Sequence, residues 1–226
     1  MCKLINKYSK TGNLKYISHL DVLRFIQRAV KRTNLPAKYS EGFNPHMKTA
    51  FGYPLSLGTE SIGEYFELEF NEHVDPDVFV SKINQVLPKE MQIQKSKETD
   101  EQESIMSRCA YAEYIITLES ETMDAEKLGE LFKEMLQTGL VYPRQKKNKK
   151  NKTVIKEIST LDYIKYLKAE RLSEGKITVE AVFLTTETGS MKVDELLKLM
   201  EERGFTADYH SIMKIDALDK NMQPIL

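Results

Sequence analysis

A seven-residue segment concentrates groups that can hold a flat, polar ligand. It contains an aromatic ring, a side-chain amide, an imidazole and an ammonium group. Its glycine permits a positive φ, and its proline fixes the backbone two residues after the aromatic ring. Because aromatic rings stack on unpaired bases and cations contact phosphates, the segment predicts a binding site for single-stranded RNA. The residues assigned to this site are Gly42, Phe43, Asn44, His46 and Lys48. In the alternative interpretation, Phe43 folds back into the core and anchors the turn.

A row of three arginines precedes this segment on a predicted helix over residues 18–33. Ser18 is placed to cap the helix, and apolar residues recur on one side of it. On the opposite side Arg24, Arg28 and Arg32 follow one another at intervals of four, which places them in a line along the helix. Such a row can track the phosphates of a nucleic-acid backbone. The alternative is a solvated face whose arginines pair with nearby acids.

Two histidines could support catalysis if the fold brings them together. His19 opens the predicted helix and His46 lies in the loop, so one could act as a general acid and the other as a general base in RNA cleavage. The simpler interpretation of His19 is a helix-start residue that hydrogen-bonds to the backbone. No glycine-rich phosphate loop and no Ser/His/Asp arrangement occurs in the sequence, so the leading interpretation assigns no catalytic residue.

A second basic region lies in the other half of the chain. Its cations are Arg144, Lys146, Lys147, Lys149, Lys150 and Lys152, with no acid between them. The composition predicts a disordered segment or a flexible hairpin tip. This segment is a candidate basic arm for RNA, and the alternative is a loop that serves solubility alone.

The composition limits the classes of protein and site that remain. The 226 residues include 33 basic and 34 acidic side chains, so the net charge is −1 and any RNA surface must arise from local segregation of charge. Two cysteines without a C-x-x-C motif argue against a zinc or iron–sulfur site, and we expect no metal and no cofactor. No apolar run is long enough to span a membrane, and the N-terminus lacks a signal-peptide core. We therefore expect a cytoplasmic protein with no membrane partner.

The order of elements predicts an α+β fold. Each half of the chain reads as β-α-β-β-α-β, so the expected architecture is two tandem ferredoxin-like domains, with antiparallel sheets and helices on one face. The expected limits are 1–98 for the first domain, 99–107 for an acidic linker and 108–226 for the second domain. The second domain carries the basic loop 144–152.

The first quarter of the chain resembles a known bacterial family. The segments ISHLD, YSEGFNPH and PLSLGTES occur in that order, as they do in the radical-SAM-linked proteins, a family also described as a domain of unknown function. The resemblance implies a radical S-adenosylmethionine protein as partner and an RNA context. A looser similarity links residues 41–45 to the ferredoxin-fold CRISPR RNA-processing endonucleases. Their C-terminal glycine-rich loop is missing here, which counts against RNA cleavage more than against RNA binding.

Together these features predict a non-catalytic RNA-binding adaptor that works with a radical S-adenosylmethionine enzyme in the modification or processing of tRNA or rRNA. Two alternatives stay open at this point. One is a metal-independent ribonuclease that uses His19 and His46, and the other is a module that binds only protein.

Overall fold

The computed structural model describes residues 2–147, 151–186 and 189–226. The chain forms two compact units. The first unit comprises residues 1–110 and 214–226, and the second comprises residues 111–213. The strands are β1 (Cys2–Lys10), β2 (Thr49–Phe51), β3 (Glu60–Phe70), β4 (Ile93–Glu98), β5 (Tyr111–Glu119), β6 (Val141–Lys147), β7 (Thr153–Ser159), β8 (Ile164–Ser173), β9 (Lys176–Thr186), β10 (Gly189–Ser190) and β11 (Tyr209–Leu218). The helices are α1 (His19–Arg32), α2 (Pro76–Asn84), α3 (Ile105–Arg108), α4 (Ala125–Gln137), α5 (Thr160–Tyr163) and α6 (Val193–Glu202), and a 3-10 turn covers Gly12–Tyr16.

In the first unit, β1 lies between β3 and β4, and both pairs are antiparallel. β2 extends the sheet by pairing antiparallel with β3, which also neighbours the last part of β11. Gly63 permits this second neighbour, because a Cβ atom there would lie 2.3 Å from the backbone oxygen of Ile215. The strand order β2-β3-β1-β4 therefore belongs to one antiparallel sheet.

The sheet of the first unit is covered on both faces. Side chains alternate along a strand, so Leu4 and Ile5 point to opposite faces, and both are buried. Leu4 joins the core beneath α1 and α2, whereas Ile5 packs with Ile105 of α3 and Cys109. The sequence predicts helices on one face of the sheet only. This is wrong for the first unit, because α3, which begins in the predicted linker 99–107, packs on the other face.

The second unit has its own core. β5 pairs antiparallel with β9, which also pairs with β8, giving the order β8-β9-β5-β11 with β10 added at β9. α4 and α6 contribute apolar side chains such as Phe132 and Leu196 to this core. β6 and β7 form a separate two-stranded sheet. Residues Arg144–Lys147 thus lie in one strand of a hairpin. Of the two predicted alternatives for the basic segment, disorder is therefore wrong for these four residues, whereas a hairpin is present.

The prediction of a mixed α+β fold with antiparallel strands is confirmed. The predicted domain limits remain a proposal, and the compact units differ from them at two places. Residues 99–110 and 214–226 both belong to the first unit, where Ile105 is fully buried. No helix in the described part of the chain is long and apolar enough to cross a membrane.

Candidate nucleic-acid interface

The segment from Lys38 to Lys48 folds into a narrow hairpin that projects beyond the sheet. Its two sides are joined by backbone hydrogen bonds, 2.9 Å from Lys48 to Lys38 and 2.8 Å from Ser40 to His46. The His46 backbone amide also donates to the Ser40 hydroxyl, 3.1 Å away. Gly42 adopts φ +115° at the start of the tip, a conformation that side chains with a Cβ rarely take. The tip is therefore held at its base and carries its side chains outward.

Phe43 lies at the tip of this hairpin and is completely exposed, with a relative accessibility of 106%. The interpretation in which Phe43 anchors the turn in the core is therefore wrong. Asn44 beside it is also exposed. An exposed aromatic ring keeps its apolar surface in water, which is unfavourable, and it contributes nothing to the core. The ring of Phe43 is therefore available for stacking.

The arginine row lies on the exposed side of α1, as predicted. Val22, Ile26 and Val30 bury the opposite side of the helix in the core of the first unit. Ser18 caps the helix by accepting a 3.2 Å hydrogen bond from the Asp21 amide.

The three arginines differ in their partners. Arg24 pairs with Asp21 at 3.5 Å, and both side chains are more than half exposed. Such exposed pairs contribute little, so this partner can be exchanged for a phosphate at small cost. Among the described residues, no carboxylate pairs with Arg28 or Arg32.

Two residues that sequence reasoning missed connect α1 to the hairpin and to the adjoining strand β2. The Lys31 ammonium lies 5.9 Å from the centre of the Tyr39 ring, and Gln27 donates a 3.2 Å hydrogen bond to the Thr49 hydroxyl. Lys31 follows Gln27 by four residues, so both lie on the side of α1 that faces β2 and the hairpin. The helical spacing of these polar residues is visible in the sequence, but the strand beside them is not.

Lys48 does not share the surface of the arginine row. Met47, Thr49 and Phe51 point toward α1, so the alternation of the strand places Lys48 and His46 on the opposite face of the sheet. There Lys48 lies 3.9 Å from Glu69, which also pairs with Lys38 at 3.0 Å. Lys48 therefore lies on a different face from the arginines with which the sequence groups it as an RNA-binding residue, and it has a carboxylate beside it there.

The two histidines are held apart. His19 packs edge-on against Phe51, with ring centres 5.9 Å apart, whereas the His46 ring lies 2.9 Å from the Ser40 hydroxyl through Nδ1. The five residue-to-residue steps from His46 to Phe51 span roughly 16 Å of extended chain. Burial lowers the pKa of His19, with an opposing contribution from Glu64 and a further lowering by Lys10. This arrangement does not form the acid–base pair of the ribonuclease alternative.

The second basic segment is only partly available to a ligand. The guanidinium of Arg144 makes two 2.5 Å hydrogen bonds to the carboxylate of Glu195 and a third to the Ser190 carbonyl oxygen. Burial alone would raise the pKa of Glu195, but Arg144 and the Lys192 backbone amide outweigh it and lower that pKa. Arg144 is thus a structural residue, which corrects its assignment to RNA.

Lys146 and Lys147 are exposed near the end of β6, where they face Val154 and Thr153. They remain candidates for RNA contact. Lys149 and Lys150 lie outside the described residues.

Comparison with known proteins yields a family and a fold. The family described as "Uncharacterized protein conserved in bacteria (DUF2344)" matches residues 3–193. No curated protein matches the chain.

Solved structures also match the chain. A chain of a Cbf5–Nop10–Gar1 complex has a TM-score of 0.51 and 11% identity, with 95% of this chain and 48% of that chain covered. An H/ACA RNP bound to a substrate RNA containing 2'-deoxyuridine has a TM-score of 0.47 and 10% identity, covering 95% and 47%. The archaeal box H/ACA sRNP Nop10–Cbf5 complex has a TM-score of 0.48 and 10% identity, with the same coverage. The chain thus spans about half the length of each of these three matches, and at these identities the first likeness concerns the fold alone.

Proposed function

Since this chain belongs to the bacterial DUF2344 family, in which the hairpin and α1 both fall within the matched region, we propose that it binds single-stranded RNA through these two elements. The binding surface consists of Phe43 at the hairpin tip, Arg24, Arg28 and Arg32 of α1, and Lys31 between them. The proposal is that the chain presents this RNA to an enzyme and performs no cleavage itself.

The observation that carries the proposal is the fully exposed ring of Phe43 on a hairpin whose base contacts a cationic helix. Stacking of a base on an aromatic ring is worth about 1–3 kcal/mol and tolerates any sequence. The bases of an RNA duplex are stacked and paired, so a ring at the end of a narrow hairpin favours unpaired RNA. The helix cations supply attraction for the phosphates.

A second surface in the first unit supports the role of an adaptor. Tyr16, Leu20 and Leu57 are each at least 60% exposed. The 3.0 Å hydrogen bond from the Gly58 amide to the Lys15 carbonyl oxygen joins the segments that carry Tyr16 and Leu57, and Leu20 follows in the first turn of α1. Apolar side chains grouped at the surface are typical of protein interfaces. The resemblance to the radical-SAM-linked proteins suggests a radical S-adenosylmethionine protein as the partner.

We also propose that both units are ferredoxin-like. The strand order β2-β3-β1-β4 in the first unit and β8-β9-β5-β11 in the second supports this assignment, because each follows the same pattern. In this scheme β6 and β7 are an insertion in the second unit.

RNA binding is tested by fluorescence anisotropy of a labelled single-stranded oligonucleotide. We expect the double variant Arg24→Glu/Arg28→Glu to bind at least about tenfold more weakly than the unchanged chain, because two phosphate contacts become repulsive. Lys133→Glu, an exposed helical residue of the second unit, is the matched control for charge reversal and should bind almost normally. Equal affinity of the double variant and the unchanged chain rejects the proposed surface.

The adaptor role is tested by capture of the partner enzyme after nuclease treatment. Leu57→Ser should weaken capture and leave the RNA affinity within about twofold, because the substitution adds no charge and Leu57 lies outside both α1 and the hairpin. Capture that survives this substitution would remove the apolar surface from the proposal and leave RNA binding untouched.

A further inference from the structure

A thiol, an imidazole and a carboxylate meet at the edge of the first unit, and none of the three belongs to α1 or to the hairpin. Cys2 begins β1, Glu98 ends β4, and His73 lies in the connection between β3 and α2. The sulfur of Cys2, a ring nitrogen of His73 and a carboxylate oxygen of Glu98 all lie within 4.8 Å of one another. We propose that these three side chains bind a divalent transition metal of the zinc class.

The donor set suits such a metal. Thiolate, imidazole and carboxylate are the three types of protein ligand that zinc takes, with bonds of about 2.0–2.3 Å. Cobalt(II) accepts the same donors and can replace zinc as a probe. Three protein ligands leave one position of a tetrahedral site for water or another molecule, which is the arrangement of an open rather than a closed zinc site.

The sheet holds the Cys2 side chain in a fixed position. Cys2 is buried at 4% exposure and pairs with Phe70 in the ladder between β1 and β3. Its sulfur donates a weak 3.8 Å hydrogen bond to the Val74 carbonyl oxygen, also interacts with the side chain of Glu98, and forms no disulfide. Glu98 is held by the ladder between β1 and β4, where it lies opposite Leu4.

The other two ligands have room to close around an ion. The side chains of His73 and Glu98 are 70% and 46% exposed, and their nearest nitrogen and oxygen lie 3.8 Å apart. That separation is too long for a hydrogen bond and close to the spacing of neighbouring ligands around one metal with bonds of about 2 Å. The free rotation of both side chains allows the small contraction that the site requires.

Sequence reasoning missed this cluster because its members are far apart in the chain. The spacing of 71 residues from Cys2 to His73 and 25 from His73 to Glu98 matches no short metal-binding motif. Antiparallel pairing of β1 with both neighbouring strands brings them to one edge.

The site is tested by titrating the full chain with cobalt(II) after removal of bound metal by a chelator. Coordination by a thiolate produces a sulfur-to-cobalt charge-transfer band, and we expect one equivalent of metal to saturate it. Cys2→Ser should abolish the band, and His73→Ala and Glu98→Gln should each weaken cobalt binding at least about tenfold. Zinc added afterwards should displace cobalt, since it binds such sites more tightly.

Cys109→Ser is the matched control, because Cys109 is also buried but lies in a different cluster with Tyr65 and Ile105. This variant should retain the band. Thermal unfolding of each variant without metal establishes that it is folded, and metal should raise the melting temperature of the unchanged chain and of Cys109→Ser but not that of Cys2→Ser. A band that is missing from the unchanged chain, or one that persists in Cys2→Ser, overturns the proposal. Unchanged affinity in both His73→Ala and Glu98→Gln overturns it equally.

Discussion

Replacing Phe43 with alanine should weaken RNA binding without weakening the fold. The ring is fully exposed and contacts no core residue, so its removal leaves no cavity and the free energy of unfolding should change by less than about 0.5 kcal/mol. Stacking of one base contributes about 1–3 kcal/mol. The dissociation constant for single-stranded RNA should therefore rise about 5- to 150-fold.

The salt dependence separates stacking from charge effects. Because Phe43→Ala removes no charge, its loss of affinity should be the same factor at every salt concentration, and the slope of log affinity against log salt should not change. Anisotropy titrations at several salt concentrations, combined with urea unfolding, measure both quantities. Phe43→Trp should retain the affinity, and Leu172→Ala, which truncates an exposed apolar side chain in the second unit, should have no effect. Unchanged affinity of Phe43→Ala would refute the stacking argument, and so would a loss that disappears at high salt.

Three further predictions concern charge and packing. Removing two cations by Arg28→Ala/Lys31→Ala should flatten the salt slope by about 1.4, at about 0.7 for each phosphate contact on a single strand, and an unchanged slope in anisotropy titrations would show that these side chains do not contact phosphate. Arg144→Ala should lower the free energy of unfolding by about 3 kcal/mol at neutral pH, because it leaves the buried carboxylate of Glu195 unpaired. Since Arg144 lowers the pKa of Glu195 in the folded state, this stabilisation is complete above the unfolded pKa of about 4.3 and is lost as the pH falls through the lower folded pKa. Urea unfolding should therefore show the gap between variant and unchanged chain narrowing in acid, and a constant gap would contradict the assignment. Gly63→Ala should destabilise the chain by about 2–3 kcal/mol, because the added Cβ meets backbone atoms of β11 that cannot move aside, and urea unfolding that matches the unchanged chain would contradict this close approach.

The local elements were predictable because their signals lie in short stretches of sequence. The helix over residues 18–33 is nearly α1, with Ser18 as its cap, since apolar periodicity and a capping side chain act over a few residues. The arginine row followed directly from the helical spacing. The exposure of Phe43 did not, because a hydrophobic side chain in a turn is compatible with either burial or exposure until the packing around it is known.

The remaining differences come from contacts between distant residues. Glu195, which binds Arg144, lies 51 positions further along the chain, so the segment that looked like a free basic arm contains one structural arginine. Lys48 is different, because the alternation of Met47, Thr49 and Phe51 already indicates that Lys48 points away from their shared face. The period of two in this stretch is sufficient by itself to separate Lys48 from α1.

The proposed RNA surface contains fewer residues than the sequence predicts. Arg144 is excluded because it is bound to the carboxylate of Glu195, and Lys48 because it lies on another face beside Glu69. Lys31 adds one cation that lies against the hairpin itself. In the first unit the remaining cations are carried by one helix, α1, on which residues four apart are separated by about 6 Å along the axis. In the proposed binding mode, the single aromatic ring at the end of the neighbouring hairpin would add the one contact that distinguishes an unpaired base from a phosphate backbone. A nearly neutral chain can in this way hold RNA locally without the general attraction of a polycation, which would bind duplex and single strand alike.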